Sequence, residues 1–271
     1  MSTSIDRCRQ FHELHASGIF VIPNPWDVGS ARALVGLGFR ALATTSSGFA
    51  WSVGLADHHV TLQQALDHFR WMASAVSVPV SADFEGGYAV EPERVAENVS
   101  AAVNTGIAGL SIEDSTGNAD EPLFDFGLAV DRMRAARRAI DASGTPAVLT
   151  GRSEGFIAGR PDLDETIRRL TAYAEAGADC LHAPGVRSHD QISTIVRAVA
   201  PKPVNVLVWT SFTTVAELRD LGVRRISVGG ALARTAWTGF LDAAREIAER
   251  GTFSKFDTAV TGADTNRMFT S

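Results

Sequence analysis

Short runs of Val, Ile, Leu, Ala and Thr recur at intervals of roughly 20 to 35 residues, each closed by polar residues or glycine. They are IFVIPN (19–24), RALATTSS (40–47), PVSADFE (79–85), AGLSIED (108–114), AVLTGRSE (147–154), CLHAPG (180–185), PVNVLVW (203–209) and RRISVGG (224–230). The runs lack polar–apolar alternation, so both faces of each predicted strand are expected to be buried. Between them lie segments with apolar residues at helical spacing, such as TLQQALDHFRWMASAV, EPERVAENVSAAVNTG and LDETIRRLTAYAEAGA. Several end in the glycine expected just past a helix C-terminus. Eight strand–helix units predict an α/β protein built as a closed parallel (β/α)8 barrel, a TIM barrel. An open doubly wound sheet is the alternative, but no GxGxxG follows the first run. The period defines one domain over residues 1–250. The tail 251–271 loses it and is expected to be mobile or docked on a neighbouring subunit.

Composition agrees with a globular chain able to bury a large core: 45% of the 271 residues are hydrophobic and 21% charged. The net charge of -6 and the lack of any Lys/Arg-rich run argue against a nucleic-acid partner. No stretch approaches the ~18 apolar residues of a membrane span, and the polar N-terminus does not resemble a secretion signal, so a cytoplasmic protein is expected. Cys8 and Cys180 are too few for a disulfide framework or a zinc cluster, and Cys180 reads as a small core residue.

In a parallel barrel the active site gathers where the strands end. The strand-ending residues here include Asn24 and Trp26, Ser46, Ser47 and Gly48, Asp83 and Glu85, Glu113 and Asp114, Arg152, His182 and Asn205. Carboxylates converging from neighbouring strands repel one another unless a cation lies between them, and an all-oxygen set selects a hard ion. Asp83 and Glu113 are the first candidates for a Mg2+ site (Mn2+ would serve the same ligands), with Glu85 and Asp114 reaching the ion through water. Pairing of each acid with an arginine, Arg152 foremost, is the competing explanation. The fork of Arg152 suits a carboxylate or phosphonate. Ser46, Ser47, Gly48 and Asn205 offer further hydrogen bonds to substrate, and His182 is a candidate acid/base. SVGG after the eighth run reads as a phosphate cradle or as a tight turn. The two lysines, Lys202 and Lys255, lie before a strand and in the tail, which argues against Schiff-base chemistry.

With these residues in place, the chain resembles the isocitrate lyase / phosphoenolpyruvate mutase superfamily along nearly all its length. The segments VIPNPWDVGSARAL, TTSSGFAWSVGLAD, SADFEGGYA, GLSIEDS, GRSEGFIAG and GVRRISVGGALAR carry the resemblance. It implies a barrel whose last helix is exchanged between subunits of a dimer or tetramer, Mg2+, and a small 2-oxo or enolpyruvyl acid cleaved or formed through an enolate. Position by position, Ser47 and Gly48 match the family's substrate-carboxylate contact, Asp57 an acid beside the site, Asp83 and Glu113 its metal-site acids, and Arg152 its substrate arginine. Two departures stand out. Ser81 replaces the first acid of the usual Asp-Ala-Asp, leaving Glu85 to compensate. The loop DSTGNADEPLFDFG has no Cys, Lys or His, unlike the lyases acting on isocitrate or methylisocitrate, and matches the mutase-type loop only at Asn118. The expectation is a Mg2+-dependent lyase, decarboxylase or hydrolase acting on a C–C bond. The alternatives are a phosphonomutase or phosphonopyruvate hydrolase, and a barrel that binds a 2-oxo acid without turnover.

Overall fold

A computed structural model describes residues 3–270 and contains all eight strands where the runs fall. They are β1 (Phe20–Ile22), β2 (Leu42–Ala43), β3 (Val80–Asp83), β4 (Gly109–Glu113), β5 (Val148–Arg152), β6 (Cys180–His182), β7 (Val204–Leu207) and β8 (Arg225–Ser227). All ladder pairs are parallel, and the order β1-β8-β7-β6-β5-β4-β3-β2 places every strand beside its sequence neighbour except at one seam. There the Ala43 amide donates to the Pro23 carbonyl at 3.1 Å, so the sheet curls into a nearly closed barrel. This is the (β/α)8 architecture the period predicts.

The outer ring comprises α2 (Val28–Gly36), α4 (Leu62–Ala75), α5 (Pro92–Val103), α6 (Phe126–Ala142), α7 (Leu163–Glu175), α8 (His189–Ala198), α9 (Val215–Asp220) and α10 (Ala231–Arg250). Their inner faces and the outward strand residues form one core containing Val95, Val99, Leu110, Ile112, Met133, Ile140, Leu149 and Leu170. Burying each such side chain contributes on the order of 2 kcal/mol.

Three features go beyond the periodic reading. The polar N-terminus forms α1 (Ser4–Ala16), started by a Thr3/Asp6 capping box. Its Cys8 and Phe11 close the barrel floor against Phe20, Ala108 and Val148. In the run 40–47 only Leu42 and Ala43 are strand, because Thr45 caps α3 (Ser46–Ser52) by accepting from the Gly48 amide. The tail carries a 3-10 turn (Ser254–Thr258) and α11 (Gly262–Arg267), both exposed. Among the described residues no helix is long and apolar enough to cross a membrane.

Candidate active site at the barrel mouth

The C-terminal strand ends converge on Arg152. Its Nη1 lies 2.7 Å from Asp83 Oδ1, its Nη2 3.0 Å from Glu113 Oε2 and its Nε 3.0 Å from Glu154 Oε1. One guanidinium therefore serves three carboxylates from the ends of β3, β4 and β5. Parallel register explains the meeting: Glu113 pairs with Arg152 and Arg152 with His182, so these side chains share a face of the sheet. Asp83 also accepts from the Ser46 amide at 3.0 Å, which ties α3 to the cluster.

Burial and the neighbouring Glu154, Asp83 and Glu85 charges push the Glu113 carboxyl up to about 8, against the pull of Arg152. Glu154 is raised in the same way, and Arg152 is held well above its ordinary value because the acids outweigh its burial. Asp57, on the rim, is raised by burial and by Asp83 and Glu85, with His58 acting oppositely. Acids outnumber the cations that face them.

Glu85 leaves the Arg152 cluster. Its Oε2 faces His58 Nδ1 at 3.2 Å and its Oε1 accepts from the Tyr88 hydroxyl at 3.1 Å. His58, Glu85 and Tyr88 are the non-glycine residues with left-handed backbone among the described residues, at φ 63°, 47° and 56°. Three strained positions thus meet at one carboxylate, a pattern typical of functional sites. Arg132 of α6 pins the loop that carries two of them, donating to the carbonyls of Gly86, Ala89 and Val90. Glu85 raises the His58 imidazole to about 9, mainly through the hydrogen bond.

Other sequence candidates have different surroundings. Asp114 does not reach the mouth: it points outward, accepting from Tyr173 (2.6 Å), Arg169 (3.1 Å) and the Glu154 amide (2.8 Å), so it bolts α7 to the strand ends. Asn205 has both side-chain ends engaged, with Arg225 Nε at 2.9 Å and Ser227 Oγ at 2.9 Å. Trp26 lies beside Ser52, Ala233, Trp237 and Phe240, against α10 rather than in the mouth. The SVGG segment is a closed turn, since the Val228 and Gly229 amides both donate to Asn24 Oδ1. Ser47 and Gly48 start α3, and Gly48 has no room for a Cβ, which would fall 2.6 Å from Thr45 Cγ2. His182 lines an inner cavity of about 90 Å3 beneath Arg152, its buried Nε2 without a partner. Burial, then Arg152 and Arg225, hold its ring neutral well below the usual histidine value.

Above Arg152 opens a cavity of about 560 Å3, lined by Ser46, Ser47, Asp57, Asp83 and Arg152 together with Arg187, Trp209 and Arg234. The last three, and His58 and Tyr88, escape the strand-end rule because they lie in loops or on helix starts. Both lysines are elsewhere: Lys202 Nζ donates to the Ala178 carbonyl, and Lys255 follows α10.

Comparison with known proteins places this geometry in context. Residues 11–248 match the model of the phosphoenolpyruvate phosphomutase family. A structure from Burkholderia cenocepacia J2315, described only provisionally as a lyase/mutase, superposes with TM-score 0.95 and 46% identity over 99% of this chain and 97% of that one. An uncharacterised Mycobacterium tuberculosis protein is 34% identical over 88% of this chain and 89% of its own length. An oxaloacetate decarboxylase of Bradyrhizobium is 29% identical over 75% of this chain and 70% of its own. The chain thus belongs to the phosphoenolpyruvate mutase family, within the superfamily of lyases and mutases that includes isocitrate lyase.

Proposed function

We propose that this enzyme cleaves a C–C bond of a small 2-oxo acid through an enolate, with Mg2+ or Mn2+ as cofactor. The supporting observation is the surplus of carboxylates around Arg152 at the barrel mouth. Asp57, Asp83, Glu85, Glu113 and Glu154 lie around two cationic groups, Arg152 and His58. That excess and its all-oxygen chemistry suit a hard divalent ion. Among the described residues no three side chains are gathered to ligate an ion directly. The fit is therefore to a cation that keeps much of its water, held by Asp83 and Glu113 with Glu85 behind them. When bound, such an ion acts as a Lewis acid that stabilises enolate charge.

The chain's own residues account for the rest. Arg152 carries the positive charge of the carboxylate end, and the Ser47 hydroxyl and the segment around Gly48 complete its seat. Asp57, raised by burial, is the rim acid that relays a proton from solvent to the enolate carbon after cleavage. His182 stays neutral and serves as a hydrogen-bonding group beneath the reacting end. Breaking the bond leaves its electron pair in the enolate, so the reaction does not need the Cys, Lys or His that the loop after β4 lacks. The relative named oxaloacetate decarboxylase fits this chemistry. The C–P alternative gains no support from Asn118, whose side chain accepts from the Asp120 amide within its own loop.

The test is product analysis by NMR after incubation with Mg2+ and, separately, oxaloacetate and phosphonopyruvate. Carbon–carbon cleavage products are expected from the first, and Arg152→Lys should lower the rate by about 100-fold or more, since one ammonium cannot serve three carboxylates. Turnover of phosphonopyruvate alone would overturn the reading. An Asp83→Ala protein that kept a Mg2+-dependent thermal shift would overturn the ion's placement.

A further inference from the structure

The mouth has two walls of unlike chemistry. The wall from β3, β4 and β5 is the acid-rich cluster around Arg152. The wall after β6, β7 and β8 carries Arg187, Trp209, Thr210 and Arg234. Among the described residues, Arg187 and Arg234 have no acid within ion-pair distance and make no side-chain hydrogen bond, and unlike the similarly unpaired Arg40, Arg138, Arg219 and Arg250 they line this cavity. The Arg187 guanidinium is instead held over the Trp209 ring, 5.3 Å from its centroid. Arg234 stands in the first turn of α10, whose start is pressed onto the Ser47 segment. A Cβ on Gly230 would lie 2.9 Å from Ser47 Oγ. In a chain of net charge -6, two unmatched guanidiniums facing one cavity are positioned for an anion.

In the reading above Arg152 and the Ser47 segment seat the 2-oxo carboxylate, and a cavity of about 560 Å3 has room for more than that end of a molecule. We propose that Arg187 and Arg234 bind a second, distal carboxylate of the substrate, so that the enzyme selects 2-oxo diacids over monoacids. This rests on the 2-oxo acid reading above and sharpens it. The two forks oppose the acid-rich wall and so set which end of the substrate enters first. The end bearing the oxo group faces Arg152, and the distal carboxylate faces Trp209.

Calorimetric titration of the Mg2+-loaded protein with matched pairs of stable probes tests this. The pairs are 2-oxoglutarate with 2-oxopentanoate, and glutarate with pentanoate. Within each pair only the distal carboxylate differs. The diacid should bind about tenfold tighter or better, and Arg187→Gln and Arg234→Gln should each weaken the diacid about fivefold to tenfold while leaving the monoacid within about twofold. Both positions are exposed, and thermal melts verify that the variants fold. Equal binding of diacid and monoacid, or equal weakening of both by the variants, would overturn the proposal. If the diacid preference and its arginine dependence hold but the oxo group makes no difference, the distal seat stands and the 2-oxo reading falls.

Discussion

His58 shows at the level of one residue how this site is strained and held. At φ 63° an L-residue without a compensating contact costs about 1 kcal/mol or more relative to glycine. The Glu85 hydrogen bond, reinforced by Tyr88, offsets that cost and joins the loop after α3 to the loop after β3. His58→Ala keeps the backbone cost and loses the bond, whereas His58→Gly loses both. Urea denaturation should therefore find His58→Ala less stable than His58→Gly by about 1 kcal/mol. The reverse order would show that position 58 carries no left-handed backbone cost. Neighbouring residues also explain the different fates of two acids the sequence presents together. Successive strand residues face opposite sides of a sheet, so Glu113 turns into the barrel and Asp114 turns out to Arg169 and Tyr173. Strand-end position alone did not separate them. The alternation rule does.

Among the elements, the attachment of the tail rests on one titratable carboxylate. α10 ends at Gly251, in left-handed conformation at φ 65°, and the chain turns back over Glu246. That carboxylate accepts from Thr252 Oγ1 (2.7 Å), the Ser254 amide (2.9 Å) and hydroxyl (2.7 Å), and the Lys255 amide (3.0 Å). The Ser254 and Thr252 hydroxyls lead in lowering it to about 2. A carboxyl lower in the folded chain than in the unfolded one stabilises fully above its unfolded value of about 4.3. That contribution fades as pH falls from there through about 2. Glu246→Gln removes it at every pH. Limited trypsin digestion at neutral pH should cut the variant after Lys255 faster than the parent, and unchanged cleavage would show that the turn is held by other contacts. The helices and strands themselves were legible because burial imposes a period of 3.6 or a continuous apolar run. α1 and α3 were not, since α1 is polar along most of its length and α3 spans only seven residues, which leaves little period to read. The three-residue-scale competition at Thr45, cap against strand, was settled by the side chain's bond to the Gly48 amide.

At the scale of the whole molecule, α10 and the tail leave apolar side chains exposed among the described residues. Trp237, Phe240, Leu241 and Ile247 of α10 and Phe253, Phe256 and Val260 of the tail are exposed, with the Trp237 and Phe240 rings and the Phe253 and Phe256 rings adjacent. The expectation of an exchanged last helix in a dimer or tetramer gives these side chains a partner in a second copy. Phe240→Asp should shift the species seen by light scattering toward the monomer, because a carboxylate cannot be buried there unpaired. A parent chain that runs as a monomer would remove the expectation.

By itself the sequence determined the barrel, its eight strands and the set of polar residues at their ends, because periodic burial is a local property that each segment carries alone. It also excluded a lysine at the mouth, since both lysines fall outside the strand ends. Only the tertiary structure decided that Asp83, Glu113 and Glu154 share the Arg152 guanidinium, that Asp114 and Asn205 are spent on packing, and that Arg187 and Arg234 face the cavity without an acid. Partnership between charges depends on strand register, side-chain direction and loop path across segments tens of residues apart, and no local pattern encodes those distances.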